Sequence, residues 1–231
     1  MLFGMSWDLT SDWTFAWSII PMLLIGMKIT IIATIFGFAI AMVLGLVFAL
    51  ARSAPTRFVS WPVAFVIEFV RDTPLLIQLF FIFYVLPTTT GITLPALEAG
   101  ILALGVQYSA YCSEVYRAGL QAVPNGQWEA ARALNLSTWR TYVDIVIPQA
   151  IPRIIPALGN YLVSIIKDTP VLSAITVMEI LHVANIIGDR TYRYMVPITM
   201  VGILFLLLTL ISAALVKFME KRLPRAGIAV K

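Results

Sequence analysis

Charge is what this chain has least of. Only 12% of its 231 residues are Asp, Glu, Lys or Arg, about half the share of a soluble domain, which runs near 25%. A single cysteine, Cys112, excludes an internal disulfide framework, and the single histidine, His182, cannot build a metal cluster with it. Both read as packing or surface residues, and neither metal nor cofactor is expected. No G-x-x-x-x-G-K-[ST] occurs, so the chain does not cradle ATP phosphates in that mode. The first 18 residues hold no Lys or Arg and so lack the positive start of a signal peptide. His182, the one imidazole base, has no nucleophile at motif spacing, which leaves little ground for a membrane-embedded enzyme.

What fills the space is apolar: 60% of the residues are hydrophobic. The runs are long and do not alternate, so they read as helices rather than barrel strands. The expected fold class is an all-α, polytopic membrane protein with five spans, at residues 19–51, 58–86, 95–112, 154–181 and 196–216. Residues 1–18, with Trp7, Trp13 and Trp17, form either a segment at the membrane surface or a partly ordered tail. Residues 218–231 form a basic tail. With the amino terminus outside, the inward side holds 11 of the 16 Lys and Arg and the outward side only Arg190 and Arg193. The positive-inside rule therefore puts the amino terminus out and the carboxyl terminus in the cytoplasm. Gly37, Ala41, Gly45 and Ala49 stand at four-residue spacing in the first span, a register that admits a close helix from this chain or another.

Two stretches nearly repeat, VRDTPLL (70–76) and IKDTPVL (166–172). Arg71 and Lys167 are each the fourteenth residue of their span, roughly 20 Å into a core about 30 Å thick. Thr73-Pro74 and Thr169-Pro170 read as an N-cap followed by a proline at the first helical position, so each motif is expected to restart a helix after a break. Glu68, three residues before Arg71, is its expected partner. Ionisable groups at such depth cost about 2.5–3.5 kcal/mol and should face protein or water. Two readings stand. In one, Glu68, Arg71, Asp72, Thr73, Pro74, Gln78, Asn160, Lys167, Asp168, Thr169 and Pro170 line the route of a small polar solute. In the other, the motifs are capped kinks that fix helix packing.

Residues 114–153 form a long polar segment on the cytoplasmic side. Pro124-Asn125-Gly126 reads as a turn. Gln127 to Leu134 reads as a short helix with a low-profile run of Ala130, Ala131 and Ala133. Asn135 is suited to the left-handed conformation that ends a helix, and Ser137 to capping a second helix stopped at Pro148. An eight-residue helix is marginal alone, so it is either a docking element for a partner groove or a loop packed on its own spans.

Glu129-Ala130-Ala131, then Asn135, then Ile145-Val146-Ile147-Pro148 resemble the EAA motif of ABC-importer permeases, with Asn135 where that family usually has Gly and Ile147 where it usually has Leu. EFVRDTPLLIQLFF (68–81) is similar to the EF-x-RGTPLL-x-QL stretch of the polar amino-acid branch, with Asp72 in place of Gly. SIIKDTPVLSAITVMEI (164–180) is similar to its KDTSL stretch. YSAYCSEVYRAGLQAVPNGQWEAARALNLS (108–137) resembles permeases for ectoine and hydroxyectoine. The resemblance implies the type I importer fold over residues 19–217 and a place in the bacterial inner membrane. It also implies a second permease subunit, identical or related, an ATPase pair docked on Glu129, Ala130, Ala131, Asn135, Ile145, Ile147 and Pro148, and an extracytoplasmic solute-binding protein. The substrate would be a zwitterion, either a polar amino acid or a compatible solute. A secondary, ion-gradient-driven transporter is the alternative, because broken helices with charges at mid-depth also occur there.

Overall fold

The structure, a computed structural model, describes residues 10–222. Trp7, Arg225 and Lys231 lie outside them. The described residues are helical, without strands: α1 (Asp12–Arg52), α2 (Arg57–Asp72), α3 (Leu75–Phe80), α4 (Leu86–Thr90), α5 (Ala96–Gln121), α6 (Asn125–Ala133), α7 (Thr138–Arg140), α8 (Ile147–Asp168), α9 (Ile180–Thr191) and α10 (Met195–Arg222). A π-helical turn, Phe81–Val85, joins α3 to α4, and another, Thr141–Val146, joins α7 to α8.

By length and apolar composition α1 and α10 can each cross a membrane, and the number rises to four if α2 with α3–α4, and the stretch Thr138–Ile175 with α9, are each one bent span. The helix α5, which covers all but the first residue of expected span 95–112, is not among them. It is long enough, but Gln107, Ser109 and Ser113 are buried in it and Glu98, Glu114 and Arg117 add charge. The five-span count is thus not reproduced on these criteria.

Other boundaries also move. α1 already begins at Asp12, so Trp13 and Trp17 are helical and exposed, with rings in T-shaped contact at 5.9 Å. α5 runs on to Gln121, well into the expected polar segment. Residues 182–195, which fall between two expected spans, are largely helix α9, which ends where Tyr192 turns left-handed at φ 57°. Pro148 does not stop a helix. The π turn before it closes an i→i−5 bond from the Ile147 N–H to the Tyr142 carbonyl, and α8 continues through Pro148, Pro152 and Pro156. Pro148 donates no N–H, and the widened π turn before it accommodates the missing bond without ending the helix.

The chain folds as two compact units. One comprises residues up to Gly37 with Pro74–Leu104 and Ile165–Leu210. Its core packs Phe15, Ile19, Met22 and Leu23 of α1 on Ile180, Val183, Ala184 and Ile187 of α9 and Val201 of α10. Gly26 admits the close approach: a Cβ there would stand 2.9 Å from the Ile180 Cα and 3.0 Å from the Glu179 carbonyl oxygen. The other unit comprises Phe38–Thr73, Gly105–Ser164 and the chain from Ile211. Its cores join Ile67 and Val70 to Ala110, and Val123 to Val146 and Ala150. In each unit the small-residue stripe of α1 meets α5 of the same chain, Gly37 against Leu104 in the first and Gly45 against Cys112 and Ser109 in the second.

Candidate functional site

The first motif breaks the chain differently from the expectation. Thr73 has extended backbone (φ −95°, ψ 137°) and ends α2, donating its hydroxyl to the Phe69 carbonyl at 2.9 Å and the Val70 carbonyl at 3.3 Å. Pro74, not Thr73, stands at the N-cap of α3, and no side chain caps that end. The hydroxyl serves the helix behind it because the carbonyls one turn back lie within reach and compete with the N–H groups ahead.

The second motif departs further. Thr169 is fully buried and donates to the Ile166 carbonyl at 2.8 Å. Pro170 then lies at the start of a 3₁₀ helix, Thr169–Ile175, so no α-helix restarts there. The restart comes later, after Thr176 turns left-handed at φ 62°. Glu179, which sequence reasoning passed over, caps α9: its carboxylate accepts from the N–H groups of Leu181 at 2.9 Å and His182 at 2.6 Å. It is fully buried. A carboxylate in the run SAITVMEI was the available signal, since burial there requires partners.

The site residues divide between the units. Pro74, Gln78, Lys167, Asp168, Thr169 and Pro170 belong to the first, where α3 packs against the 3₁₀ helix, bringing the two post-break segments together. Lys167 is exposed and Asp168 half-buried. Glu68, Arg71, Asp72, Thr73 and Asn160 belong to the second unit; Asp72 and Asn160 are exposed.

In the second unit the expected Glu68–Arg71 pair is present, the Arg71 Nη1 standing 3.3 Å from the Glu68 carboxylate. Arg71 also lies over the Tyr111 ring at 5.8 Å, a cation–π distance. Tyr111 in turn packs on Tyr161 and Tyr108, at 5.6 and 5.9 Å between ring centroids. The Arg71 Nε is buried and has no hydrogen-bond partner among the described residues. Three more charges extend the pair: Arg52 Nη1 lies 3.6 Å from Glu68 and 2.9 Å from Glu114, and Glu114 accepts from Arg117 at 2.5 Å. Arg117 then donates to Gln121 at 2.9 Å. This ladder was missed because its members come from three helices; only the i, i+3 spacing of Glu114 and Arg117, the same as that of Glu68 and Arg71, hinted at it.

At the cytoplasmic segment, Pro124 is the N-cap of α6 and Asn125 its first residue, so the expected turn is the start of the helix. Asn135 is left-handed at φ 53°. Its N–H donates to the Arg132 carbonyl at 2.9 Å and that of Leu136 to the Ala131 carbonyl at 3.0 Å, the pair of bonds that defines a Schellman ending. Asn135→Gly should therefore leave thermal stability unchanged or slightly raised, whereas Asn135→Val should lower it by about 1–2 kcal/mol; thermal denaturation of the purified complex reads both. Ser137 caps α7 as expected, accepting from the Arg140 N–H at 3.4 Å.

α6 rests on its own chain through Ala131, Trp128 and Gln127, whose Oε1 accepts from the Gln149 Nε2 at 3.2 Å. Ala131 is fully buried, and Trp128 meets Tyr142 edge to face at 5.2 Å. Glu129, Ala130, Arg132 and Ala133 point outward, joined by Leu134 at 72% and Trp139 at 77% exposure. Of the expected docking residues, Ala131 thus packs inward, Ile145 is half-buried, and Glu129, Ala130, Asn135, Ile147 and Pro148 are exposed. Among the described residues no cluster of His, Cys, Asp or Glu could hold a metal.

Known proteins resemble this chain over most of its length. The chain is 55% identical over its full length, and the full length of the relative, to a protein of Sinorhizobium fredii named "Probable amino-acid ABC transporter permease protein y4tG". It is 38% identical to the "L-cystine transport system permease protein TcyB" of Bacillus subtilis, across 80% of this chain and 76% of that one. A solved chain from "an amino acid ABC transporter with histidines" superposes with a TM-score of 0.85 at 34% identity, covering 95% of this chain and all of that one. Residues 41–225 match the family described as "Binding-protein-dependent transport system inner membrane component". The chain is a member of that family, an inner-membrane permease subunit of an ABC amino-acid importer with the type I fold.

Proposed function

We propose that this subunit forms, with a second permease subunit, the pathway of a small zwitterionic solute, a polar amino acid or an ectoine-type compatible solute. An extracytoplasmic binding protein delivers the solute. The chain crosses the membrane five times from an outer amino terminus to a cytoplasmic carboxyl terminus, with residues 19–217 as the transmembrane domain. Residues 1–18 lie on the outer side, and residues 218–231 form a basic cytoplasmic tail. ATP is hydrolysed by a separate ATPase pair that docks on the outward face of α6, with Glu129, Ala130 and Asn135 bearing on it and Ile145, Ile147 and Pro148 supporting it from behind. The amino-acid names of the relatives support the amino acid; the ectoine-type solute rests on the resemblance of residues 108–137.

The observation that carries the pathway reading is the state of Arg71. One edge of its guanidinium is engaged by Glu68 and its face by Tyr111, while the Nε–H is buried without an acceptor. An unsatisfied buried donor costs about 1–3 kcal/mol, and a solute carboxylate at that edge relieves the cost through a charge-assisted bond. The solute's cation then meets Asp72, which lies in the same unit. Arg71→Gln should lower uptake by about tenfold or more at unchanged assembly, the equivalent of one hydrogen bond to a charged group. Asp72→Asn should lower it in the same assay. Normal uptake by both assembled variants would leave the motifs as packing kinks.

A further inference from the structure

The ladder Arg71–Glu68–Arg52–Glu114–Arg117 holds three cations and two carboxylates, and one atom joins its halves. Arg52 Nη1 lies 2.9 Å from Glu114 and 3.6 Å from Glu68. Each of the two carboxylates is therefore shared between two arginines, and neither arginine at Glu68 is fully neutralised by it. The residues occupy one unit: Arg52 ends α1, Glu68 and Arg71 lie on the last turns of α2, and Glu114 and Arg117 lie on α5.

The far end of the ladder reaches the docking segment. Arg117 bonds Gln121, the last residue of α5, and both line a cavity of about 300 Å³ whose opposite wall is Asn125 and Trp128 of α6. Only residues 122–124 separate α5 from α6. Arg153 of α8 donates to the Ala122 carbonyl in that connection. A displacement of α6 is thus passed to the end of α5 by a three-residue tether that is itself pinned.

We infer that Arg52 is a positioning residue through which the docking segment sets the charge state felt at Arg71. This rests on the reading that Arg71 meets the solute's carboxylate. When α5 draws Glu114 toward Arg52, Arg52 leaves Glu68, and Glu68 neutralises Arg71 alone; the hold of Arg71 on an anion weakens. When Glu114 recedes, Arg52 takes a larger share of Glu68, and Arg71 is left with more of its charge. Binding of the solute and the position of α6 become linked in both directions, as any coupling between sites must be.

The test uses the assembled transporter in proteoliposomes, with its ATPase and binding protein, and measures solute molecules moved per ATP hydrolysed. Arg52→Gln is expected to lower that ratio about tenfold, within the usual range of such couplings, while the complex assembles. Arg52→Lys, which keeps a cation in place of Nη1, is expected to restore most of it. In a Glu68→Gln background Arg52→Gln should add less than about twofold, because residues acting as one unit are non-additive. A wild-type ratio in Arg52→Gln, or losses that multiply with those of Glu68→Gln, would overturn the role. Should Arg52→Gln fail to assemble, Glu114→Gln is the second variant: it frees Arg52 for Glu68, and an unchanged ratio would overturn the role equally. Arg71→Gln separates the two levels. If it is silent the pathway reading falls; if it impairs uptake while Arg52→Gln is silent, only the positioning role falls.

Discussion

Glu129→Lys is expected to lower ATP-driven uptake by at least about tenfold while leaving the level of the subunit in the membrane unchanged. The reason lies in where the side chain points. Glu129 sits on the outward face of α6, and among the described residues no ion pair engages it. Surface substitutions of that kind change a protein's own stability by about 0.5 kcal/mol or less. Arg132 is one turn on from it, and Leu134 and, beyond the Schellman turn, Trp139 are exposed nearby in the chain. An apolar pair flanked by charges of fixed sign is what a partner groove reads, and reversing one charge at such a surface costs affinity and slows docking. Membrane abundance, co-purification of the ATPase and uptake separate the possibilities. Uptake at the usual rate with the ATPase attached would show that α6 is not the docking element.

Gly45→Ala is expected to destabilise the subunit itself, and by more than its single methyl suggests. The added Cβ would stand 2.7 Å from the Cys112 Cβ and 2.8 Å from the Ser109 carbonyl oxygen. The obstacle is the main chain of α5, which cannot swing aside as a side-chain tip can. Overpacking of this sort costs about 1–3 kcal/mol, and in a membrane helix the same close approach also carries the packing that holds α1 to α5. Gly202→Ala in α10 is the control: nothing lies within 4 Å of its Cβ position, and the gain in helix propensity should leave stability equal or higher. Thermal denaturation of the purified complex compares the two. Equal midpoints for both variants would mean that α1 and α5 are not held at that distance.

The elements that could be read in the sequence were those set by local chemistry. Hydrophobic run length located α1 and α10. Asn135, Ser137 and the i, i+3 spacing of Glu68 and Arg71 each led to the geometry observed, because each depends on residues within one turn of helix. The misses share a different cause. By sequence Thr73 reads as the cap of the helix ahead of it, whereas its hydroxyl is claimed by the helix behind; both roles are open to a threonine before proline, and hydrogen-bond competition decides between them. Pro148 reads as a stop because a π turn leaves no composition signal. The span boundaries around α5 and α9 slipped because buried polar side chains and buried helix ends depend on neighbours distant in the chain. Arg52, Glu114 and Glu179 escaped notice for the same reason.

The polar face of α5 has a consequence for biogenesis. Gln107, Ser109 and Ser113 are buried in the folded subunit, and Ser109 and Ser113 lie against Gly45 of α1. The two serine hydroxyls are nonetheless bonded inside α5 itself, Ser109 to the Val106 carbonyl at 2.6 Å and Ser113 to the Ala110 carbonyl at 2.7 Å. If α5 spans the bilayer as proposed, both would enter lipid with their bonds already made, and its insertion would not have to wait for α1 to satisfy them. What α1 would add on arrival is the close fit at Gly45.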